Sequence, residues 1–280
     1  ILSACGIPKF NQKAENESVP EAFVAPSDTN TIADIEWRDF FTDTNLIQLI
    51  DTALANNQEF NIIRQEVLMK SNEVSAKKGE ILPSVSIGGG AGVEKVGRYT
   101  RNGAVEANLD IAPDEEFPEP LQDYQVGLNA SWEVDIWRKL RNSRDAAANR
   151  YLGSVDGQKF MKTMLIEEVA TSYYELLALD KQLAIVKEYI KLQTNALRIV
   201  KQQKIAGEVT ELAVKKFEAE VLSTRSVQFE IQQDIIETEN HINFLLGRFP
   251  QPVQRAASSF DNEMFPELSA GVPAQLLENR

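Results

Sequence analysis

The sequence has few of the residues that build metal centres and covalent catalysts. Among its 280 residues there is one cysteine, Cys5, and one histidine, His241. One residue of each kind excludes a disulfide within the chain and most zinc sites, and it disfavours a histidine-dependent catalytic triad. No nucleophile–base pair, phosphate-binding loop or metal cluster stands out. We therefore expect neither a cofactor, nor a bound metal, nor an enzymatic activity.

Basic residues and long apolar runs are also scarce. The chain has 29 lysines and arginines against 42 aspartates and glutamates, a net charge of −13. A phosphate backbone would be repelled by this charge, so we expect no nucleic-acid partner. Nowhere does the sequence approach the roughly 18 consecutive apolar residues that a membrane-spanning helix needs.

Proline is absent from two long stretches, between Ser27 and Leu82 and between Leu121 and Phe249. In the first stretch an apolar residue recurs every three or four positions from Leu46 to Ile81, which predicts one amphipathic helix. In the second, the same spacing predicts a helix over 135–206 and another that ends at Gly247. Gly207 suits a helix C-cap and Thr210 an N-cap, so the two helices should form an antiparallel hairpin with its tip at 206–210.

The longer predicted helix carries a second apolar row, formed by Ile185, Leu192 and Ile199. A helix with two such rows packs against partners on two sides. This arrangement is typical of a tube of helices, but it also occurs in a four-helix bundle, and a sustained 3.5-residue repeat fits a soluble coiled coil as well. The pattern alone leaves these alternatives open.

Two runs alternate with the period of a β-strand, Ser84–Glu94 and Tyr124–Asp135. Both have the length of a strand that crosses a membrane, with one apolar face and one small, polar or acidic face. On the apolar face Tyr124 and Trp132 are expected to mark the two membrane interfaces. The polar face is expected to line a lumen with Glu94, Gln125, Asn129, Glu133 and Asp135. A half-buried hairpin in a soluble protein shows the same alternation, so both interpretations stand.

The segment between the two runs, residues 95–123, has three basic and seven acidic residues and is rich in proline. We expect an exposed, extracellular-type loop. Two strands cannot close a barrel, and lipid does not tolerate an open sheet edge. Strands that span a membrane here must therefore belong to a barrel shared between subunits or completed by further sequence.

The N-terminal tetrapeptide Leu2-Ser3-Ala4-Cys5 looks like the end of a bacterial lipoprotein signal peptide. Lipid on Cys5 would anchor the chain to a membrane. The alternative is an ordinary cysteine behind a chance tetrapeptide.

The order of these features resembles the outer-membrane efflux proteins, the TolC-type channels, and especially their lipoprotein branch. The segments that carry the resemblance are Trp37-Arg38-Asp39-Phe40-Phe41 with the helix that follows, Leu82-Pro83-Ser84-Val85, Ala130-Ser131-Trp132-Glu133-Val134-Asp135, the tip Gly207-Glu208-Val209-Thr210-Glu211-Leu212, and Val272-Pro273-Ala274 onward. The likeness covers essentially the whole chain.

The resemblance implies a homotrimer in the bacterial outer membrane, lipid-anchored and extending into the periplasm. It implies a passive export conduit for drugs or other solutes, which a periplasmic adaptor and an inner-membrane pump supply. It places the contact with these partners at Ala206, Gly207, Glu208, Val209, Thr210 and Glu211. The alternative function is a soluble or lipid-anchored periplasmic coiled-coil scaffold.

The expected fold is mainly α with a β-hairpin: long antiparallel, coiled-coil-like helices of an α-barrel plus two membrane-spanning strands of a shared β-barrel. The expected segments are an extended leader (1–33), a helical segment (34–82), the transmembrane hairpin (83–134), the helical hairpin (135–247) and a linker (248–280). Family members carry two such repeats, and this chain has one, so we expect it to be a fragment whose linker leads into a second repeat.

Overall fold

The computed structural model describes Ser18 and residues 35–255, which fall into two compact units. The hairpin unit contains Lys70–Tyr151. The helical unit contains the described residues up to Met69 and those from Leu152 onward. Cys5 and most of the expected leader lie outside the described residues, as do residues 256–280 of the expected linker.

The hairpin unit is built around two long strands, which connect the end of one helix to the start of another. Its elements are the last part of α3 (Gln58–Gly79), β1 (Ser84–Glu94), α4 (Arg101–Glu106), β2 (Asp110–Ala112), β3 (Glu115–Glu116), β4 (Leu121–Ser131) and the first part of α5 (Lys139–Ile205). β1 pairs with β4, and β2 with β3, both antiparallel. The expected exposed loop therefore contains a short helix and a small two-stranded sheet.

The helical unit is formed by α1 (Trp37–Phe40), α2 (Thr44–Asn56), the first part of α3, the remainder of α5 and α6 (Glu211–Leu245). Its core takes apolar side chains from α2, α3, α5 and α6. The largest fully buried side chains in that core are Tyr173, Leu46, Ile50, Leu176, Ile242, Leu246 and Val169. The buried residues of α2 are Leu46, Leu49, Ile50 and Ala53, as the spacing of three and four predicts.

The single helix predicted from Leu46 to Ile81 is wrong, since α2 ends at Asn56 and α3 begins at Gln58. Asn57, between them, has an extended ψ of 127°. Its side-chain oxygen accepts a hydrogen bond from the Phe60 N–H at 2.8 Å, and its side-chain nitrogen donates to the Leu245 carbonyl at 2.9 Å. Asparagine competes well for backbone groups at helix starts, so Asn57 caps a new helix instead of continuing the old one.

Both glycines predicted to end helices have positive φ, 80° at Gly207 and 63° at Gly247. At each site two backbone N–H groups fold back onto carbonyls of the preceding turn, the pattern of a Schellman C-cap. Glycine adopts this left-handed conformation without the steric cost of a Cβ. The break between α5 and α6 lies at 206–210, where the sequence predicts it, but α5 begins at Lys139 and not at Asp135. Thr210 occupies the N-cap of α6, but its side chain makes no capping hydrogen bond.

The segment after α6 is tied to both long helices by Arg255. Its guanidinium donates to Asp180 on α5 at 3.0 Å and to the Glu239 carboxylate on α6. These hydrogen bonds keep the pKa of Arg255 above its usual value, although desolvation works in the opposite direction. Val253, two residues earlier, is buried in the core.

None of the helices in the described part of the chain combines the length and the apolar character that crossing a membrane requires.

Candidate membrane hairpin and helical tip

The two long strands of the hairpin unit form one continuous antiparallel ladder. Each has 11 residues, and every residue of β1 faces a residue of β4, from Ser84 opposite Ser131 to Glu94 opposite Leu121. Residues directly opposite each other in such a ladder project to the same face of the sheet. The register therefore decides which side chains share a face.

One face of this hairpin is apolar over almost its whole length. Its cross-strand pairs are Val85–Ala130, Ile87–Leu128, Gly89–Val126, Ala91–Tyr124 and Val93–Gln122. The other face is small and polar, with the pairs Ser84–Ser131, Ser86–Asn129, Gly88–Gly127, Gly90–Gln125, Gly92–Asp123 and Glu94–Leu121. The register thus places the apolar residues of both strands on one face and the small and polar residues of both strands on the other.

The apolar face is not covered by any other part of the described chain. Val85, Ile87, Val93, Tyr124, Val126 and Leu128 are between 70% and 85% exposed. Within the described residues, the outer edges of β1 and β4 also lack a partner strand. Exposed apolar surface of this extent, together with open edges, indicates a surface that is completed by other molecules.

The second strand is displaced from its predicted position, because β4 runs from Leu121 to Ser131 and not to Asp135. Trp132, Glu133 and Asp135 therefore lie in the junction between β4 and α5. The prediction that Glu133 and Asp135 continue the strand is wrong. The Asp135 carboxylate instead accepts hydrogen bonds from the backbone N–H groups of Arg141 at 2.9 Å and Leu140 at 3.2 Å.

Asp135 thus caps the first turn of α5, where N–H groups have no partner within the helix. Desolvation of Asp135 raises its pKa, but the hydrogen bonds from Arg141 and Leu140 outweigh it and keep the pKa below the usual value. The nearby Glu133 carboxylate accepts from Lys139 at 2.9 Å and raises the pKa of that lysine. The Asp135 carboxylate is therefore ionised at neutral pH, and both carboxylates form their hydrogen bonds within the junction.

The structure places the other predicted hairpin residues as follows. Gln125 and Asn129 lie on the polar face, and Glu94 ends β1 on the same face. Tyr124 lies on the apolar face, and its hydroxyl donates to Gln122 at 3.0 Å. Trp132 follows the last strand residue, and its indole N–H donates to the Ile81 carbonyl at 3.1 Å.

Asp123 is a polar-face residue that the sequence pattern missed. It lies opposite Gly92, next to the loop end of the hairpin. The alternation becomes irregular before Tyr124, since apolar Leu121 falls on the polar face and polar Gln122 on the apolar face. The sequence pattern therefore predicts a strand that begins only at Tyr124, with Asp123 in the loop.

At the tip of the helical hairpin, residues 206–210 connect α5 to α6. The carbonyls of Gln203 and Lys204 accept from the N–H groups of Glu208 and Gly207 at 2.9 and 3.0 Å, so the last turn of α5 keeps few unpaired carbonyls. Lys204 forms an ion pair with Glu211. Glu208 has no ion-pair partner among the described residues. Ile205 and Leu212, which flank the tip, are 80% and 79% exposed.

Below the tip, Glu218 on α6 is held between two lysines. Lys201 of α5 and Lys215 of α6 each place Nζ 2.9 Å from a Glu218 oxygen. The hydrogen bond from Lys201, and to a lesser extent the one from Lys215, lowers the pKa of Glu218 to about 2. This cluster links the two helices close to their connection.

The second apolar row on α5 is exposed in the single chain, at Ile185, Leu192 and Ile199, and Tyr189 extends it. The first row, by contrast, supplies Val169, Leu176 and Leu179 to the core. The helix therefore has an apolar surface on a side that the described part of the chain leaves open, as the second row predicts.

Comparison with known proteins identifies the family. The model of the family described as "Outer membrane efflux protein" matches residues 49–248, more than two thirds of the chain. The chain belongs to the outer membrane efflux protein family. The resemblance stated from the sequence is thereby confirmed.

Two relatives show how much of a family member the chain spans. It is 27% identical over 246 residues to the cation efflux system protein CusC of Escherichia coli O6:H1, covering 87% of this chain and 49% of CusC. It is 24% identical over 220 residues to the probable outer membrane lipoprotein SilC of Salmonella typhimurium, covering 79% of this chain and 44% of SilC. The chain thus spans about half the length of these curated relatives.

The fold matches that of solved outer-membrane channels. The open state of the Neisseria gonorrhoeae MtrE outer membrane channel superposes with a TM-score of 0.77 at 20% identity. The match covers 98% of this chain and 58% of MtrE. The expected fold class, long helices of an α-barrel with two strands of a shared β-barrel, is confirmed at the level of the fold.

Proposed function

We propose that this chain forms part of an outer-membrane channel, a passive conduit that exports drugs or other solutes. The observation that carries the proposal is the hairpin of two 11-residue strands with one exposed apolar face and one small, polar face. Strands of about this length cross a bilayer when tilted. The family is one of transport components and not of enzymes, which agrees with a conduit that does no chemistry.

In this proposal the apolar face contacts lipid and the polar face, with Glu94, Gln125 and Asn129, lines the lumen. The open edges of β1 and β4 pair with strands of neighbouring subunits, in keeping with a homotrimer. Tyr124 then lies towards the extracellular interface and Trp132 at the periplasmic one, where amphipathic aromatic side chains are favoured. Glu133 and Asp135 follow β4 in the junction and are not part of the proposed lumen lining.

The proposed partners are a periplasmic adaptor and an inner-membrane pump, which meet the channel at residues 206–211. The exposed apolar side chains of Ile205 and Leu212 support this role. So does the carboxylate of Glu208, which has no ion-pair partner in the part of the chain that the structure describes, because together they form a mixed surface at the break between α5 and α6. The anchor is lipid on Cys5, motivated by the sequence Leu2-Ser3-Ala4-Cys5. Mass spectrometry of the mature protein tests it, since an unmodified Cys5 contradicts the proposal.

The function is tested by conductance and by localisation of the native protein. We expect it to fractionate with outer membranes, to require detergent for extraction, and to form pores in planar bilayers. A protein that stays soluble without detergent and forms no pore is a periplasmic scaffold, and the proposal then fails.

The lumen assignment has a test of its own in the reversal potential under a KCl gradient. Carboxylates raise the local cation concentration, so we expect a pore that prefers cations, less so in high salt. Glu94→Gln with Asp123→Asn, both on the polar face, should weaken that preference, whereas Glu230→Gln with Glu237→Gln on α6 removes the same charge and serves as the control. Anion preference, or an unchanged potential in the polar-face variant, contradicts the lumen assignment.

The tip contact is tested by charge reversal and crosslinking in cells. Glu208→Lys should weaken export at unchanged expression. Glu211 is the less suitable position, because its reversal also breaks the ion pair with Lys204. If crosslinkers at Glu208 never capture an adaptor or pump, the proposed contact is wrong.

A further inference from the structure

The junction between β4 and α5 holds two apolar side chains out into solvent. Ile136 and Trp137 lie in a tight turn after the strand and are 70% and 66% exposed. The Ile136 N–H donates to the Val134 carbonyl at 2.9 Å, and the Asp135 carboxylate caps α5 just beyond. Hydrogen bonds thus hold the backbone on both sides of this apolar pair.

A basic segment follows the apolar pair. Residues 137–144 contain four basic residues and no acidic one, in a chain whose net charge is −13. Lys139 pairs with Glu133 and Arg144 with Asp145. The Arg141 side chain has no ion-pair partner among the described residues, and Arg138 is 3.9 Å from Asp145.

The stability of α5 does not account for these charges. They lie at the N-terminus of the helix, where the helix dipole disfavours positive side chains and no acidic residue occupies the first turn. Arg138 also has a φ of 58°, in the left-handed region that favours glycine. A ligand of negative charge offers a reason for basic side chains at this position.

We propose that Trp137, Ile136, Arg138 and Arg141 form an interfacial anchor that binds the headgroup phosphates of anionic phospholipids at the periplasmic surface of the outer membrane. The inference rests on the proposed function, in which the hairpin spans the membrane. Trp132, Val134 and Ile136, which follow β4, are further exposed apolar side chains, so the anchor adjoins in sequence the strand assigned to lipid. Tryptophan with arginine is the combination that membrane interfaces favour.

The two ends of the hairpin differ in charge as the anchor requires, since the junction end is basic and the loop end is acidic. Residues 95–123, at the far end, contain three basic and seven acidic residues. Anionic headgroups attract basic segments close to the membrane surface, and salt screens the attraction. Only the junction end is therefore suited to bind them.

The test uses native protein reconstituted in bilayers with brominated lipids, which quench tryptophan fluorescence on contact. The contribution of Trp137 is the difference between the native protein and Trp137→Phe. The binding constant of phosphatidylglycerol relative to phosphatidylcholine is obtained from quenching in mixtures of the two. We expect a preference for phosphatidylglycerol, with about fivefold contributed by each arginine.

Arg138→Gln with Arg141→Gln should remove the preference, and 0.5 M KCl should reduce it in the native protein. The matched control, Lys162→Gln with Lys216→Gln, removes the same charge from exposed positions on α5 and α6 and should leave it unchanged. Equal quenching by both lipids, or no quenching of Trp137, overturns the anchor. Efficient crosslinking between two copies at Trp137→Cys also overturns it, because the position is then a protein contact.

Failure of the anchor is distinguishable from failure of the proposed function. If Trp132 is quenched and Trp137 is not, the hairpin is inserted and only the anchor is wrong. If neither is quenched and the protein is extracted without detergent, the proposal that the hairpin spans a membrane is wrong, and the proposed anchor is wrong as well.

Discussion

Leu176 and Leu128 have the same side chain in opposite surroundings. In the helical unit Leu176 is fully buried, in a core to which four helices contribute, whereas in the hairpin unit 74% of Leu128 is exposed. The helical unit carries the partners of its apolar residues within the chain. The hairpin unit presents an equally regular apolar face on which no described residue packs, so the free energy of that face depends on its surroundings.

The largest effect is expected where this difference is tested directly. Leu176→Ala should lower the free energy of unfolding by about 3–4 kcal/mol, because it removes buried methyl groups and leaves a cavity. Leu128→Ala should change it by less than about 0.5 kcal/mol in detergent, where the site has no packed neighbours to lose. Thermal unfolding of the purified protein, followed by circular dichroism, measures both. Equal losses would contradict the contrast between the units.

Two neighbouring positions of β4 test the faces of the hairpin. Val126→Arg places a charge on the apolar face and should cost about 2–4 kcal/mol of membrane insertion if that face meets lipid. Gly127→Arg lies on the polar face, where an added Cβ has open space, and should be tolerated. The amount of protein retained in washed outer membranes measures the difference. Similar retention of the two variants would contradict the assignment of the faces.

The two left-handed glycines differ in their surroundings. Gly207→Ala should cost about 1 kcal/mol, the price of a Cβ in this conformation. Gly247→Ala should cost about 2–3 kcal/mol, since its Cβ would also lie 2.6 Å from the Asn56 carbonyl oxygen. Denaturant unfolding of both variants tests this order. A larger loss at Gly207 would show that the close approach at Gly247 does not constrain the helical unit.

A stabilising change is expected at Arg138, just before the start of α5 in the hairpin unit. Arg138→Gly should raise stability by about 1 kcal/mol, because glycine adopts a φ of 58° without strain. Lys162→Gly, at an exposed position well inside α5, is the control and should lower stability by a similar amount. The melting temperatures of the two variants should move in opposite directions.

The smallest effect concerns pH and the ion cluster of the helical unit. The pKa of Glu218 is lowered to about 2, so its contribution to stability is complete above the ordinary glutamate pKa of 4.5. It is lost as the pH falls from there towards 2, because the unfolded chain takes up the proton first. Glu218→Gln should flatten the pH dependence of unfolding in this range. An unchanged profile in that variant would remove Glu218 as its source.

Regular periodicity predicted the elements that are regular. The helices α5 and α6, the break at Gly207 and the two faces of the hairpin follow from spacings of three and four, or of two, that extend over many residues. The family resemblance placed these elements in a known architecture, which the comparisons confirm.

Single side chains that redirect the backbone were not predicted. Asn57 divides one apolar stripe into two helices without disturbing the stripe, so the periodicity gave no sign of the break. In the sequence, Asp135 continues the alternation of the strand, but its carboxylate accepts hydrogen bonds from backbone N–H groups at the start of α5. Arg255 binds Asp180 and Glu239, which are far from it in sequence, and no local pattern reports such a contact.

The open edges of β1 and β4 bear on how a channel of this kind would be made. Inside a bilayer, a backbone group without a hydrogen-bond partner costs several kcal/mol, so a lone hairpin gains little by entering. Insertion should therefore require the association of several copies. Its rate should then rise more steeply than in direct proportion to the protein concentration. A cell that makes few copies would then accumulate chains at the membrane surface before any pore opens.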